Sequence, residues 1–173
     1  MPTIGVSLAV PEPWGSRLQE FRVANGDAQG ETIPTHITLV PPVEVDAARL
    51  DEVERHLVAV AADSSSYLVH LRGSGTFRPV SPVVFVNLVE GISQTEQLAN
   101  RCRQGPLEVE LGYPFHPHVT VAHLPDDVTL DRAFEGLSGF DCAFTVAGFH
   151  LYVHDEDLGW TATRDYVLGG APG

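Results

Sequence analysis

The sequence predicts an α+β fold: two lobes, built as duplicated βαβαβ repeats with antiparallel-containing sheets, around a central cleft. Three observations lead there. Apolar runs suited to strands alternate with helical stretches from the N-terminus onward, the same order restarts at Val83, and each half opens its second strand with a His-x-Thr triplet. The triplets are His36-Ile37-Thr38, 33 residues beyond Thr3, and His118-Val119-Thr120, 35 residues beyond Val83. At 173 residues the chain suits a single domain, 1–173, with pseudo-symmetric lobes of about 1–75 and 76–173.

Residues 3–10, TIGVSLAV, read as a strand. Pro13-Trp14 then opens a helical stretch in which Leu18 and Phe21 recur at helical spacing until Gly26. The segment 26–30, Gly-Asp-Ala-Gln-Gly, reads as a flexible connection without the strand-to-helix context of a phosphate loop. HITLV (36–40) is the second strand, closed by Pro41-Pro42. Asp46 is placed to cap a helix whose Leu50, Val53, Leu57 and Val60 form one apolar stripe, and YLVHLRG (67–73) follows as the third strand.

In the second half, VVFVNLV (83–89) reads as a buried strand, and Ser93-Gln94-Thr95-Glu96 as a capping box opening a helix to about Gln104. HVTVAHL (118–124) is the next strand, and Thr129 is placed to cap a short helix through Leu137. Cys142 to Val153 reads as one long strand. Trp160 to Leu168, the extra strand, pairs back on it across the solvated turn Asp155-Glu156-Asp157-Leu158-Gly159. A frayed tail is expected over residues 169–173.

The triplets carry the chemistry. Side chains alternate faces along a strand at ~3.3 Å per residue, so His36 and Thr38 share one face about 7 Å apart while Ile37 and Leu39 take the other. His118 and Thr120 do the same. If the halves pack with these strands adjacent, two imidazoles flank a gap lined by two hydroxyls, which suits one phosphate group. Phosphoester cleavage needs a base for the attacking oxygen and an acid for the leaving one. An imidazole with a pKa of ~6.5 serves either role near neutral pH. The threonine hydroxyls would donate to non-bridging oxygens as charge develops there.

Composition bounds the partner. Ten basic residues, all arginine, against 23 acidic ones give a net charge of −13, and the pI is about 4.8. Such a surface repels extended duplex DNA or RNA. A small phosphate ester or a single strand end remains a suitable ligand, because a few focused arginines outweigh a distant negative surface. No apolar stretch approaches the ~20 residues of a membrane span, and no secretory signal is read at the N-terminus. The expectation is a cytoplasmic monomer with no membrane partner. Cys102 and Cys142 lack metal-type spacing and read as two reduced, buried thiols.

The paired H-x-T-hydrophobic motifs, the second within PFHPHVTVAH, resemble the 2H phosphoesterase superfamily, in particular its bacterial RNA 2′,3′-cyclic phosphodiesterases, often labelled 2′-5′ RNA ligases. The resemblance spans nearly the whole chain and includes Phe77-Arg78-Pro79 ahead of VVFVNL. It implies a metal-independent phosphodiesterase with no cofactor. Its substrates would be 2′,3′-cyclic phosphates or 2′-5′ linked nucleotide or RNA ends, with reverse ligation in some members. His36 and His118 would be the catalytic pair, leaning toward His36 as acid and His118 as base, and Thr38 and Thr120 would be the phosphate ligands. Two positions depart from the commonest family pattern: His123 stands where a basic residue often ends the second motif, and Val40-Pro41-Pro42 where Phe-Leu-Gly often follows the first.

Phe77, Arg78, Tyr113 and His123 are the candidate substrate-binding residues, since aromatic rings stack on a base and a guanidinium pairs with a phosphate. His116, His118 and His123 form an H-x-H-x4-H cluster that offers a second reading, a zinc hydrolase, although no nearby carboxylate or cysteine completes the set and no metal is expected. A third reading is a non-catalytic module gripping a phosphorylated ligand. His56, His70, His150 and His154 read as surface or satisfied structural residues, and Trp14 and Trp160 as core.

Overall fold

The computed structural model describes residues 1–169. The chain runs β1 (Thr3–Ala9), α1 (Trp14–Ala24), β2 (His36–Glu44), α2 (Leu50–Ala62), β3 (Tyr67–Thr76), β4 (Val83–Glu90), α3 (Ile92–Cys102), β5 (His118–His123), α4 (Asp127–Gly136), β6 (Asp141–Val146), β7 (Gly148–Asp155) and β8 (Gly159–Val167). Two βαβαβ units followed by a hairpin are therefore present. The strands form two four-stranded sheets, ordered β2-β1-β7-β8 and β5-β4-β3-β6, and every pairing in both is antiparallel.

The sheets do not follow the two halves of the sequence. β3, from the first half, pairs with β4 and β6, while β7 and β8, from the end of the chain, complete the sheet of β1 and β2. One apolar cluster joins residues from both, including Ile4, Val6, Ile37 and Leu39 on one side and Val84, Val86, Val119 and Val121 on the other. Helix α2 buries Val53, Leu57 and Val60 of the predicted stripe, with Ala61 beside them and Leu50 only partly buried, at roughly 1.5–3 kcal/mol for each large side chain removed from water.

Five local expectations are corrected. β2 does not stop at Pro41-Pro42 but runs to Glu44: it is an edge strand, where missing N–H groups are tolerated, and its register with β1 shifts between Val40 and Val43. The expected strand from Cys142 to Val153 is two strands in different sheets, parted at Ala147, where the buried positions change phase from Cys142, Phe144 and Val146 to Phe149 and Leu151. There is no capping box at Ser93. Helix α3 starts at Ile92 straight after β4, so Ser93 lies inside the first turn and accepts from the Gln97 amide, while the Thr95 hydroxyl donates to the Gly91 carbonyl. Asp126 caps α4 by accepting from the Val128 N–H, and Thr129 donates to that carboxylate rather than capping.

The fifth concerns 26–30, which is structured. Asp27 accepts from the Gln29 N–H at the head of a 3-10 turn over Ala28–Glu31, and Gly30 is buried. Of the expected C-terminal tail, residues 170–173 lie outside the described residues. Among the described residues no helix is long and apolar enough to cross a membrane. Cys102 and Cys142 are unpaired and buried. Burial raises their thiols to about 12 and about 11.

Candidate active site

Each His-x-Thr triplet opens an edge strand: His36 is the first residue of β2 and His118 the first of β5. The two edges meet, β2 against β5, and the helices cross over, α1 reaching β5 and α3 reaching β2. Two bonds stitch the crossing. The His123 N–H at the end of β5 donates to Asp27 Oδ2, and Arg103 Nη1, just past α3, donates to the Leu39 carbonyl of β2. Ile37, Leu39, Val119 and Val121 are fully buried, so the alternation turns His36, Thr38, His118 and Thr120 to the half-buried opposite face.

Both imidazoles are held alike. Nδ1 of His36 lies 2.7 Å from the Pro34 carbonyl oxygen, and Nδ1 of His118 lies 2.7 Å from that of His116. A carbonyl only accepts, so Nδ1 carries hydrogen in each ring and Nε2 is left for chemistry. Desolvation lowers both pKa values below 6.5, against an upward contribution from those carbonyl bonds. The positive charge of Arg22 adds to the lowering of His36, and those of His116 and His36 add to that of His118.

A cavity of about 230 Å³ opens at this junction, with His36, Thr38, Thr120 and His123 in its wall. Tyr152 of β7, Trp160 of β8 and Arg22 of α1 complete its aromatic and cationic lining. The ring of His118 stands outside that wall, packed edge-on to Phe77 at 4.8 Å between centroids and tilted against Phe85 at 5.3 Å. Gly75 permits this packing, because a Cβ there would sit 2.6 Å from Phe85 Cε2.

The expected substrate-binding residues separate. His123 joins the cavity and Phe77 lies against His118. Arg78 does not face the cleft: its Nη1 is 2.8 Å from Asp131 and 3.5 Å from Asp127, in a separate surface depression, so its charge is already engaged. Tyr113 is 72% exposed and forms no part of the cavity wall. Trp160, expected in the core, is instead half-buried at the cavity.

Among the described residues no three His, Cys, Asp or Glu side chains converge as a metal-ligating group; the His116 and His118 rings stack with centroids 6.3 Å apart. His56 is satisfied by the Arg101 and Cys102 carbonyls, and His70 and His150 pair with Asp141 and Asp165. The sequence reading missed Arg22, Asp27, Tyr152 and Phe85. For Asp27 a local signal existed, an acidic residue leading a short turn, but nothing local paired it with Arg22.

Comparison with known proteins gives one consistent result. Residues 10–158 match the 2′-5′ RNA ligase superfamily. A Bacillus pumilus protein named "Putative phosphoesterase" is 34% identical over 139 residues, covering 79% of this chain and 81% of its own. An Oceanobacillus iheyensis protein of the same designation is 28% identical over 148 residues, covering 83% and 85%. Among solved structures, TT0787 of Thermus thermophilus aligns with a TM-score of 0.71 at 21% identity over 98% of this chain and 99% of that one. E. coli LigT complexed with 3′-AMP aligns with a TM-score of 0.64 at 21% identity over 97% and 99%. At such identities the structural likeness establishes the fold.

Proposed function

Starting from the fact that this chain belongs to the 2′-5′ RNA ligase superfamily, we propose that it is a phosphoesterase. It opens 2′,3′-cyclic phosphates, or cleaves 2′-5′ linkages at nucleotide or RNA ends, by two-histidine acid–base catalysis. The observation that carries this reading is the twinned setting of His36 and His118, each with Nδ1 tied to the carbonyl two residues earlier and Nε2 left free. The printed name of the relatives, and the 3′-AMP, NADP+ and ATP held by E. coli LigT in its structures, support a small phosphate-bearing substrate.

Neutral His118 takes a proton from water through Nε2 as the water oxygen forms a bond to phosphorus. The bond from phosphorus to the ribose 3′ oxygen breaks, and protonated His36 gives its Nε2 proton to that oxygen, leaving a 2′-phosphate. Thr38 and Thr120 donate to the non-bridging oxygens as negative charge gathers. With the 5′ hydroxyl of a second ribose in place of water, the same forward step joins 2′-5′ ends, and its reverse, attack by the 3′ hydroxyl with protonation of the departing 5′ oxygen, cleaves them. The acid and base assignment follows the family resemblance. No step passes through a metal or cofactor. The protein acts on nucleotide-sized substrates, since a net charge of −13 repels long polyanions.

The test is a panel of 2′,3′-cyclic nucleotides, 2′-5′ dinucleotides and ADP-ribose cyclic phosphate, followed by phosphorus NMR with and without EDTA. A 2′-phosphate product unaffected by chelation is expected. Binding without turnover on the whole panel would replace the enzyme with a phosphate-binding module, and activity abolished by EDTA and restored by zinc would replace the mechanism.

A further inference from the structure

We propose, resting on the phosphoester reading of the cleft, that Arg22 is its anion-holding residue. The Nη edge of this buried guanidinium, braced from behind by Asp27, takes the non-bridging oxygens of the substrate phosphate.

Arg22 sits in the last turn of α1 and is 7% exposed; Asp27 is 2% exposed. The carboxylate accepts three bonds: Oδ1 from the Gln29 N–H at 3.1 Å, and Oδ2 from Arg22 Nε at 2.7 Å and from the His123 N–H at 2.9 Å. It meets the guanidinium through Nε alone. Among the described residues the Nη nitrogens make no hydrogen bond, yet the one buried polar atom there without a partner is Tyr166 Oη. The Nη edge must consequently reach open space, and Arg22 lines the cavity that holds His36, Thr38 and Thr120.

The brace is rigid. Gly30 packs on the arginine stem so closely that a Cβ there would lie 3.1 Å from Cγ and 3.2 Å from Cδ. Burying a cation is costly, and a purely structural ion pair gains most when every donor is used. A guanidinium pinned by Nε with its fork unspent instead fits a second, planar anionic partner, and phosphate is matched by that fork in two parallel bonds. Arg22 is also electrostatically coupled to the imidazole beside it, since its charge helps to lower the His36 pKa. In a protein of net charge −13, this is the one arginine of the cavity wall among the described residues.

The experiment measures inorganic phosphate affinity by phosphorus NMR titration for the wild type, R22M, R22K and the charge-neutral pair R22M/D27N, with a thermal melt of each. R22M should weaken phosphate binding by roughly ten- to hundred-fold, the worth of a charge-assisted bond. R22K should recover only part, because one ammonium cannot hold Asp27 and also present a fork. Proton NMR should place the His36 pKa higher in R22M than in the wild type.

If R22M fails to fold for want of a partner to Asp27, R22M/D27N removes both charges, while the amide oxygen introduced by D27N still accepts from the Gln29 or the His123 N–H. Wild-type phosphate affinity in a folded R22M or R22M/D27N, or no phosphate binding by the wild type, overturns the proposal. An absence of turnover on every cyclic phosphate would defeat the enzymatic reading and leave this binding result standing, so the two fail separately.

Discussion

His36 and His118 make the same bond at equivalent places: each Nδ1 stands 2.7 Å from the carbonyl oxygen two residues earlier, Pro34 for one ring and His116 for the other. The bond fixes one tautomer in both rings and leaves both Nε2 atoms for proton transfer. Replacing either histidine by alanine should lower turnover of a cleaved cyclic phosphate by ~10²–10⁴-fold. The melting temperature should change little in H36A, whose ring lines the cavity, and fall modestly in H118A, whose ring packs on Phe77 and Phe85. The double variant should be little worse than the worse single, as cooperating groups behave. Near-normal turnover by H36A would end the two-histidine mechanism.

Thr38 and Thr120 face the same cavity from different strands. T38V and T120V keep the branched shape that suits a strand and delete only the hydroxyl. Each should reduce kcat by up to ~10²–10³-fold if the hydroxyl stabilises charge on the phosphate. A rise in KM with unchanged kcat would assign these residues to ground-state binding instead.

The pH dependence follows from desolvation, which holds both imidazole pKa values below 6.5. Between the folded pKa and 6.5 the unfolded chain binds more protons than the fold. Stability must therefore fall as pH drops through 6.5, a loss complete below the folded values. H36Q and H118Q should each flatten that acid-side loss in thermal melts taken across the range. For activity, kcat/KM reports the free enzyme, so its bell should be centred on the acid side of 6.5. A centre on the alkaline side would contradict the desolvated environment.

Arg78 supplies a contrast with the cleft residues. Its guanidinium is spent on Asp131 and Asp127 of α4, away from the cavity. R78A should leave kcat/KM close to the wild-type value while modestly lowering the melting temperature. A loss of activity comparable to that of H36A, in a variant that remains folded, would return Arg78 to the site.

By itself the sequence determined the order of the elements, the division of β6 from β7 excepted, and the identity of the paired motifs. Period-two alternation and the α2 stripe are local properties, dictated by which face must leave water, so β2, β5 and α2 were readable from their own residues. The repeat of His-x-Thr was likewise visible, because a triplet needs no partner to be seen. Only tertiary structure decided which strands share a sheet. β3 and β7 exchange between the sequence halves because an antiparallel edge takes whichever strand completes its hydrogen bonds and covers its apolar face, and no local pattern names that strand. The same holds at the site. Arg22 and Asp27 are ordinary surface-type residues in sequence, and they became a buried pair beside His36 only when α1 crossed to β5 and the His123 N–H closed on the same carboxylate. Arg78, the arginine that the motif context favoured, was claimed by two carboxylates on a helix 49 to 53 residues further along the chain, a contact set by packing rather than by spacing.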